Sequence, residues 1–167
     1  VHYRDGRTAG MMEKTLKMVG RDPLYELTGN QLMEINTLFQ LMAVKERRPE
    51  LLERADALLL MPDLFQYFLS GAKISEKSIA STTQMMDMRQ GEWAFGLLET
   101  LGLQTGMMRD ILPGAVRTGS LRPEIQKELG VPAMEVIAVA GHDTQSAMAA
   151  IPAREEDFLF ISCGTWG

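Results

Sequence analysis

The chain has 167 residues, 17 basic against 22 acidic side chains for a formal net charge of −5, and is 46% hydrophobic and 23% charged. That is about one domain's worth of sequence with enough apolar material for a packed core, which excludes a disordered or collagen-like chain. The acidic balance argues against a surface built to neutralise nucleic-acid phosphates, the single cysteine excludes an intrachain disulfide or a Cys-based zinc cage, and no apolar run approaches the roughly 18 residues of a membrane span.

Thr8 is placed to cap a helix that carries Met11, Met12, Thr15, Leu16 and Val19 on one stripe and stops at Gly20. Arg21-Asp22-Pro23 reads as a turn and 24–28 as a short helical or irregular piece. Over 31–47 the residues Leu32, Ile35, Leu38, Phe39, Leu41 and Met42 predict an amphipathic helix, whose basic end at 45–48 suits the negative pole of the helix dipole. Pro49 opens another short helix over 50–54. The apolar run 57–61 fits a buried strand or a helix end, and Leu64, Phe65, Phe68 and Leu69 predict a helix ended by Gly71.

Residues 76–81 predict a brief helix, 82–86 an extended segment, and 92–101 a helix with Trp93, Leu97, Leu98 and Leu101 inward. The stretch 106–119 reads as loop. A short helix follows over 124–129, then a turn at 130–132, and 136–140 has the β-branched and small residues of a strand buried on both faces. Gly141-His142-Asp143-Thr144 leads from it into a small-residue helix over 145–150, and 158–166 reads as a last strand entering a glycine turn. Strand, glycine-containing turn, helix and second strand make an α/β pattern. The methionine pairs 11–12, 85–86 and 107–108 are expected to fill the core.

A carboxylate where a buried strand gives way to a helix lies at the usual ligand crevice of an open α/β sheet. Asp143 has that address and can serve as a general base toward a hydroxyl, or can simply cap the helix that follows. His142 beside it can contact a polyhydroxylated ligand or act as a structural hydrogen-bonder. Gly164 and Thr165, at a glycine turn leaving a strand, offer a backbone amide and a hydroxyl to a phosphate.

Taken together, Gly141-His142-Asp143-Thr144-Gln145-Ser146-Ala147 and Ser162-Cys163-Gly164-Thr165-Trp166 resemble the catalytic and phosphate-binding segments of the FGGY carbohydrate kinases. The upstream segments 3–8, 28–31, 35–41, 58–63 and 80–84 follow the same family in order. The resemblance implies an actin-like, ribonuclease-H-like ATPase fold, with 1–151 the later part of the sugar-binding domain and 152–167 the start of the nucleotide-binding domain. It implies transfer of the γ-phosphoryl of ATP, with Mg²⁺, to the primary hydroxyl of a ketose. In that chemistry Asp143 is the base, His142 and Thr144 contact the sugar, and Gly164 and Thr165 touch the nucleotide phosphates.

The wording of both segments is nearest to family members that act on L-rhamnulose, with fuculose and xylulose as alternative sugars. Cys163 and Gly167 stand where relatives often carry serine. The absence of a signal-peptide pattern leads us to expect a cytoplasmic protein. A start at Val1 and a stop at Gly167 suggest a piece of a longer protein, since the family's first phosphate hairpin and its adenosine segment would lie outside the chain. A chain of this extent is not expected to turn over sugar alone. From another class, a non-catalytic module would present the apolar faces of 31–47 and 92–101 to a partner.

Overall fold

A computed structural model describes residues 6–155 and 157–163. A 3-10 turn at Gly6–Thr8 leads into α1 (Met11–Val19), α2 (Arg21–Thr28), α3 (Thr37–Arg47), α4 (Pro49–Glu53) and α5 (Met61–Ser70). Then come β1 (Ser75–Glu76), α6 (Lys77–Ser81), β2 (Met86–Asp87), β3 (Glu92–Trp93), α7 (Phe95–Thr100), β4 (Ile111–Leu112) and β5 (Val116–Ser120). Last are α8 (Pro123–Leu129), β6 (Glu135–Ala138) and α9 (Asp143–Ala149). Among the described residues the strands form three two-stranded sheets: β1 with β4 parallel, β2 with β3 antiparallel and β5 with β6 antiparallel.

One face of α3 organises the larger core, since Leu38, Phe39, Leu41 and Ala43 are all buried. They pack with Met11, Leu24, Met85, Met86, Trp93, Leu98, Leu101, Met107 and Met108 in one cluster. Each large side chain removed from water there contributes roughly 1.5–3 kcal/mol. The methionine pairs fill this interior as expected, apart from Met12, which is half-buried at its edge. The apolar residues of α3 and, from the 92–101 segment, Trp93, Leu98 and Leu101 are turned into this core, whereas Phe95 of α7 is 44% exposed.

A buried polar knot ties the helices to the segment after α6. Gln84 is fully buried with φ of 64°. Its Nε2 donates to Thr28 Oγ1 at 2.5 Å and its Oε1 accepts from Asn36 Nδ2 at 2.5 Å. Satisfying these groups inside the protein offsets the cost of burying them.

Several local expectations change. Arg21-Asp22-Pro23 is the first turn of α2 rather than a separate turn, because proline is tolerated where the amide has no intrahelical partner. Thr8 lies in the 3-10 turn and Gly10, in a left-handed conformation, precedes α1 instead. The helix expected over 31–47 begins only at Thr37, where Asn36 adopts an extended backbone. Residues 57–60 form no regular element and Met61 begins α5. Trp93 sits in β3 ahead of α7 and donates from Nε1 to Arg109 O at 2.7 Å. The supposed loop 106–119 contains β4 and most of β5, held by pairing with strands distant in sequence.

The strand over 136–140 was expected to be buried on both faces, in the manner of a parallel sheet. Instead β6 ends at Ala138, pairs antiparallel with β5 and alternates, with Val136 and Ala138 buried and Ile137 44% exposed. The reason is coverage: α5 packs against β5 and β6 on one side, while Ile137 and Val139 stay 44% and 67% exposed. Residues 158–163 form no strand, and Leu159 and Ile161 are largely exposed, because no described strand pairs with them.

Candidate active site

The segment that leaves β6 is shaped by four neighbours. Ala115 donates its amide to Ala138 O at 2.6 Å, at a left-handed φ of 63°. The backbone at Gly114 runs so close that a Cβ there would stand 3.3 Å from the Ala140 nitrogen. On the other side, a Cβ on Gly141 would stand 3.0 Å from Pro62 Cβ and 3.3 Å from Glu76 Oε2. A side chain at Gly141 would press on the Pro62 ring, which would have to give by a few tenths of an ångström.

His142 then takes an extended backbone at the N-cap of α9 and its carbonyl accepts the first helical hydrogen bond, from Ser146 N–H at 3.0 Å. The Ser146 hydroxyl turns back to Ala140 O at 2.6 Å and closes the turn.

Asp143 opens α9 as its first residue, so it is not the N-cap itself, and the capping reading narrows to a local contact. Its Oδ1 accepts from the Thr144 amide at 2.7 Å, and the Thr144 hydroxyl lies 3.4 Å away. A carboxylate at the first turn also benefits from the positive end of the helix dipole. The side chain is 95% exposed and stands open to a ligand. His142 Nδ1 lies 3.6 Å from Asp143 Oδ1 and is buried without a hydrogen-bond partner among the described residues. Gln145 Oε1 is likewise buried and unpartnered. His142, Asp143 and Thr144 are therefore grouped at the start of one helix. Gly164 and Thr165 lie outside the described residues.

Two carboxylates that the sequence reading did not single out lie beneath this loop. Glu76, at the end of β1, caps α6: its Oε1 accepts from Ser78 N–H at 2.9 Å and its Oε2 from Ile79 N–H at 3.2 Å. The same Oε2 accepts from the Ser78 hydroxyl at 2.5 Å and from Gly141 N–H at 2.8 Å. Ser78 Oγ in turn accepts from His142 N–H at 3.1 Å. Burial works against the charge on Glu76, but the hydrogen bonds from Ser78, Gly141 and Ile79 outweigh it and hold the carboxyl below its usual range.

Asp63, in the first turn of α5, accepts from Glu76 N–H at 3.1 Å through Oδ1, and its Oδ2 is buried without a partner. Burial pushes Asp63 up to about 6, with the Glu76 charge adding to the rise and the backbone amides of Glu76 and Leu60 opposing it. A carboxylate immediately before a short Ser-containing helix was a legible sign of a cap at Glu76. Its second task, across to residue 141, left no local sign.

An acid exposed on a helix start, backed by a rigid glycine turn and flanked by a histidine and a threonine, can accept a proton from a bound alcohol. Comparison with known proteins gives this arrangement a class. Residues 1–150 match the N-terminal domain of the FGGY family of carbohydrate kinases. The chain belongs to that family, and its fold is the actin-like ATPase fold, present here as part of a domain. It is 43% identical over 166 residues to a rhamnulokinase of Oceanobacillus iheyensis, covering 99% of this chain and 35% of that protein. It is 42% identical over 165 residues to a rhamnulokinase of Bacteroides thetaiotaomicron, covering 98% of this chain and 34% of that protein. The chain thus spans about a third of the length of these relatives. Among solved structures, a gluconate kinase from Lactobacillus acidophilus superposes with a TM-score of 0.76 at 16% identity, covering 84% of this chain and 29% of that one.

Proposed function

We propose that the chain is the later part of the sugar-binding domain of an ATP-dependent kinase acting on L-rhamnulose, with residues 152–167 beginning the nucleotide-binding domain. The observation that carries the reading is Asp143: an open carboxylate at the first turn of α9, on a loop held from both sides, in a chain whose relatives at 42–43% identity are rhamnulokinases.

In the proposed reaction the primary hydroxyl of the ketose hydrogen-bonds to the Asp143 carboxylate. As its oxygen bonds to the γ-phosphorus of ATP, the proton passes to Asp143, the bond to the β–γ bridging oxygen breaks and ADP leaves. Asp143 then returns its proton to solvent. His142 and the Thr144 hydroxyl are proposed to contact the hydroxyls of the sugar and orient it. Such positioning supplies much of the rate in a reaction that asks for little covalent chemistry from the protein. Gly164 and Thr165 are proposed to meet the nucleotide phosphates.

Magnesium belongs to the chemistry of ATP, and would screen the charge of its phosphates. Among the described residues no group of three or more His, Cys, Asp or Glu could hold a metal ion. No helix among them is long and apolar enough to cross a membrane.

The test is ATP-dependent phosphorylation of L-rhamnulose, L-fuculose and D-xylulose by the full-length protein carrying this sequence. We expect the highest kcat/KM with L-rhamnulose and a loss of at least about a hundredfold in kcat in Asp143→Asn. Because Asp143 is exposed, the variant should unfold within about 0.5 kcal/mol of the parent. Unchanged turnover in Asp143→Asn removes the base assignment, and a preference for another ketose corrects the substrate.

A further inference from the structure

Among the described residues the Asp143 side chain makes only local hydrogen bonds, to the amide and hydroxyl of Thr144. Where its carboxylate stands is therefore decided by the backbone that delivers it. The two amides immediately before it, of Gly141 and His142, are both bound by one unit on another element: Glu76 and Ser78, 65 and 64 residues away in sequence.

We infer that Glu76 and Ser78 are the positioning residues of the catalytic loop, setting the place of Asp143 through those two amides. The inference rests on the reading of Asp143 as the base.

Three features separate this clamp from an ordinary helix cap. A cap of α6 needs only the Ser78 and Ile79 amides, and both are satisfied. Glu76 Oε2 nevertheless also takes Gly141 N–H at 2.8 Å, and the Ser78 hydroxyl bridges, donating to Glu76 Oε2 and accepting from His142 N–H. Glu76 is itself held from behind, because its own amide is bound by the buried Asp63. Gly141 lets the two sides meet, since the space a side chain would need is filled by Pro62 and Glu76.

A carboxylate is the side chain that fits here. It accepts four hydrogen bonds and donates none, whereas a glutamine would turn an amide donor toward at least one N–H or O–H donor. Charge-assisted bonds of this kind are also stronger than neutral ones. Displacing a reacting group by about 1 Å can lower turnover about a hundredfold.

The experiment compares Ser78→Ala, Ser78→Thr, Glu76→Gln and Asp143→Asn in the full-length protein carrying this sequence, with ATP and L-rhamnulose. It reads kcat, the KM for ATP, the melting temperature and amide hydrogen exchange at residues 141 and 142. Ser78→Ala is expected to lower kcat about tenfold or more with the KM for ATP unchanged and to speed exchange at 142. Ser78→Thr, which keeps the bridging hydroxyl, is expected to restore kcat to within about twofold. Glu76→Gln should lose more turnover, about a hundredfold, and expose the amide of 141.

Parental kcat in both Ser78→Ala and Glu76→Gln, with Asp143→Asn inactive, overturns the positioning role and leaves the base standing. An active Asp143→Asn instead overturns the reading beneath it. If Glu76→Gln does not fold, the two Ser78 variants decide, and equal losses in both, following the melting temperature, overturn the inference.

Discussion

Replacing Asp63 by asparagine should remove a pH dependence of stability that the buried carboxyl imposes. Asp63 is 1% exposed, and its Oδ2 has no partner among the described residues. Burial, aided by the nearby Glu76 charge, moves its pKa from 3.8 to about 6. In the unfolded chain the carboxyl releases its proton near pH 3.8, whereas in the folded protein it holds it to about pH 6. Between those values the folded state binds more protons, so stability falls as pH rises and levels off above about pH 7.

At about 1.36 kcal/mol per pKa unit the whole fall is about 3 kcal/mol, most of it between about pH 4 and pH 7. The Asp63→Asn side chain has no proton to lose, and the substitution removes the fall. Glu76 runs the other way: its lowered pKa adds stability present above its ordinary 4.5 and lost on acidification. That contribution should be largely common to both proteins. Urea unfolding at a series of pH values gives the free-energy difference between variant and parent. That difference should shift in favour of the variant by about 2–3 kcal/mol from about pH 4 to pH 7, whatever constant offset the new amide introduces. Parallel curves would refute the assignment of a buried, proton-holding Asp63.

Two further substitutions test the packing around the site. Gly141→Ala should cost about 1–3 kcal/mol in urea unfolding and lower sugar phosphorylation by the full-length protein, since the added methyl meets the Pro62 ring at 3.0 Å. Parental stability in that variant would show that the loop can yield. Gln84→Ala should cost about 3 kcal/mol, because it leaves Thr28 and Asn36 without their shared partner in a buried knot. A loss below about 0.5 kcal/mol would mean that water or a rearranged side chain takes the place of Gln84.

Several elements were legible because their signals are local. The stripe of α1, its stop at Gly20 and the end of α5 at Gly71 follow from helical spacing and from glycine's freedom at positive φ. The turn from β6 into α9, with Asp143 at its rim, was readable from β-branched residues followed by Gly141. Family membership followed from ordered motifs, and the match over residues 1–150 agrees with it.

What stayed hidden depends on distance along the chain. The pairing of β5 with β6 makes a strand of residues that locally read as loop, and it leaves Val139 67% exposed where burial on both faces was expected. Asp63 and Glu76 each look in sequence like ordinary acids near a helix start. Their burial, the split in their proton affinities and the grip of Glu76 on Gly141 arise only when β1, α5 and the loop after β6 are brought together. Periodicity and turn chemistry act over a few neighbouring residues and can be read from letters. Desolvation and a hydrogen bond spanning 65 residues belong to the packed chain, where low polarity raises the cost of each unpaired charge and so decides which partner it must find.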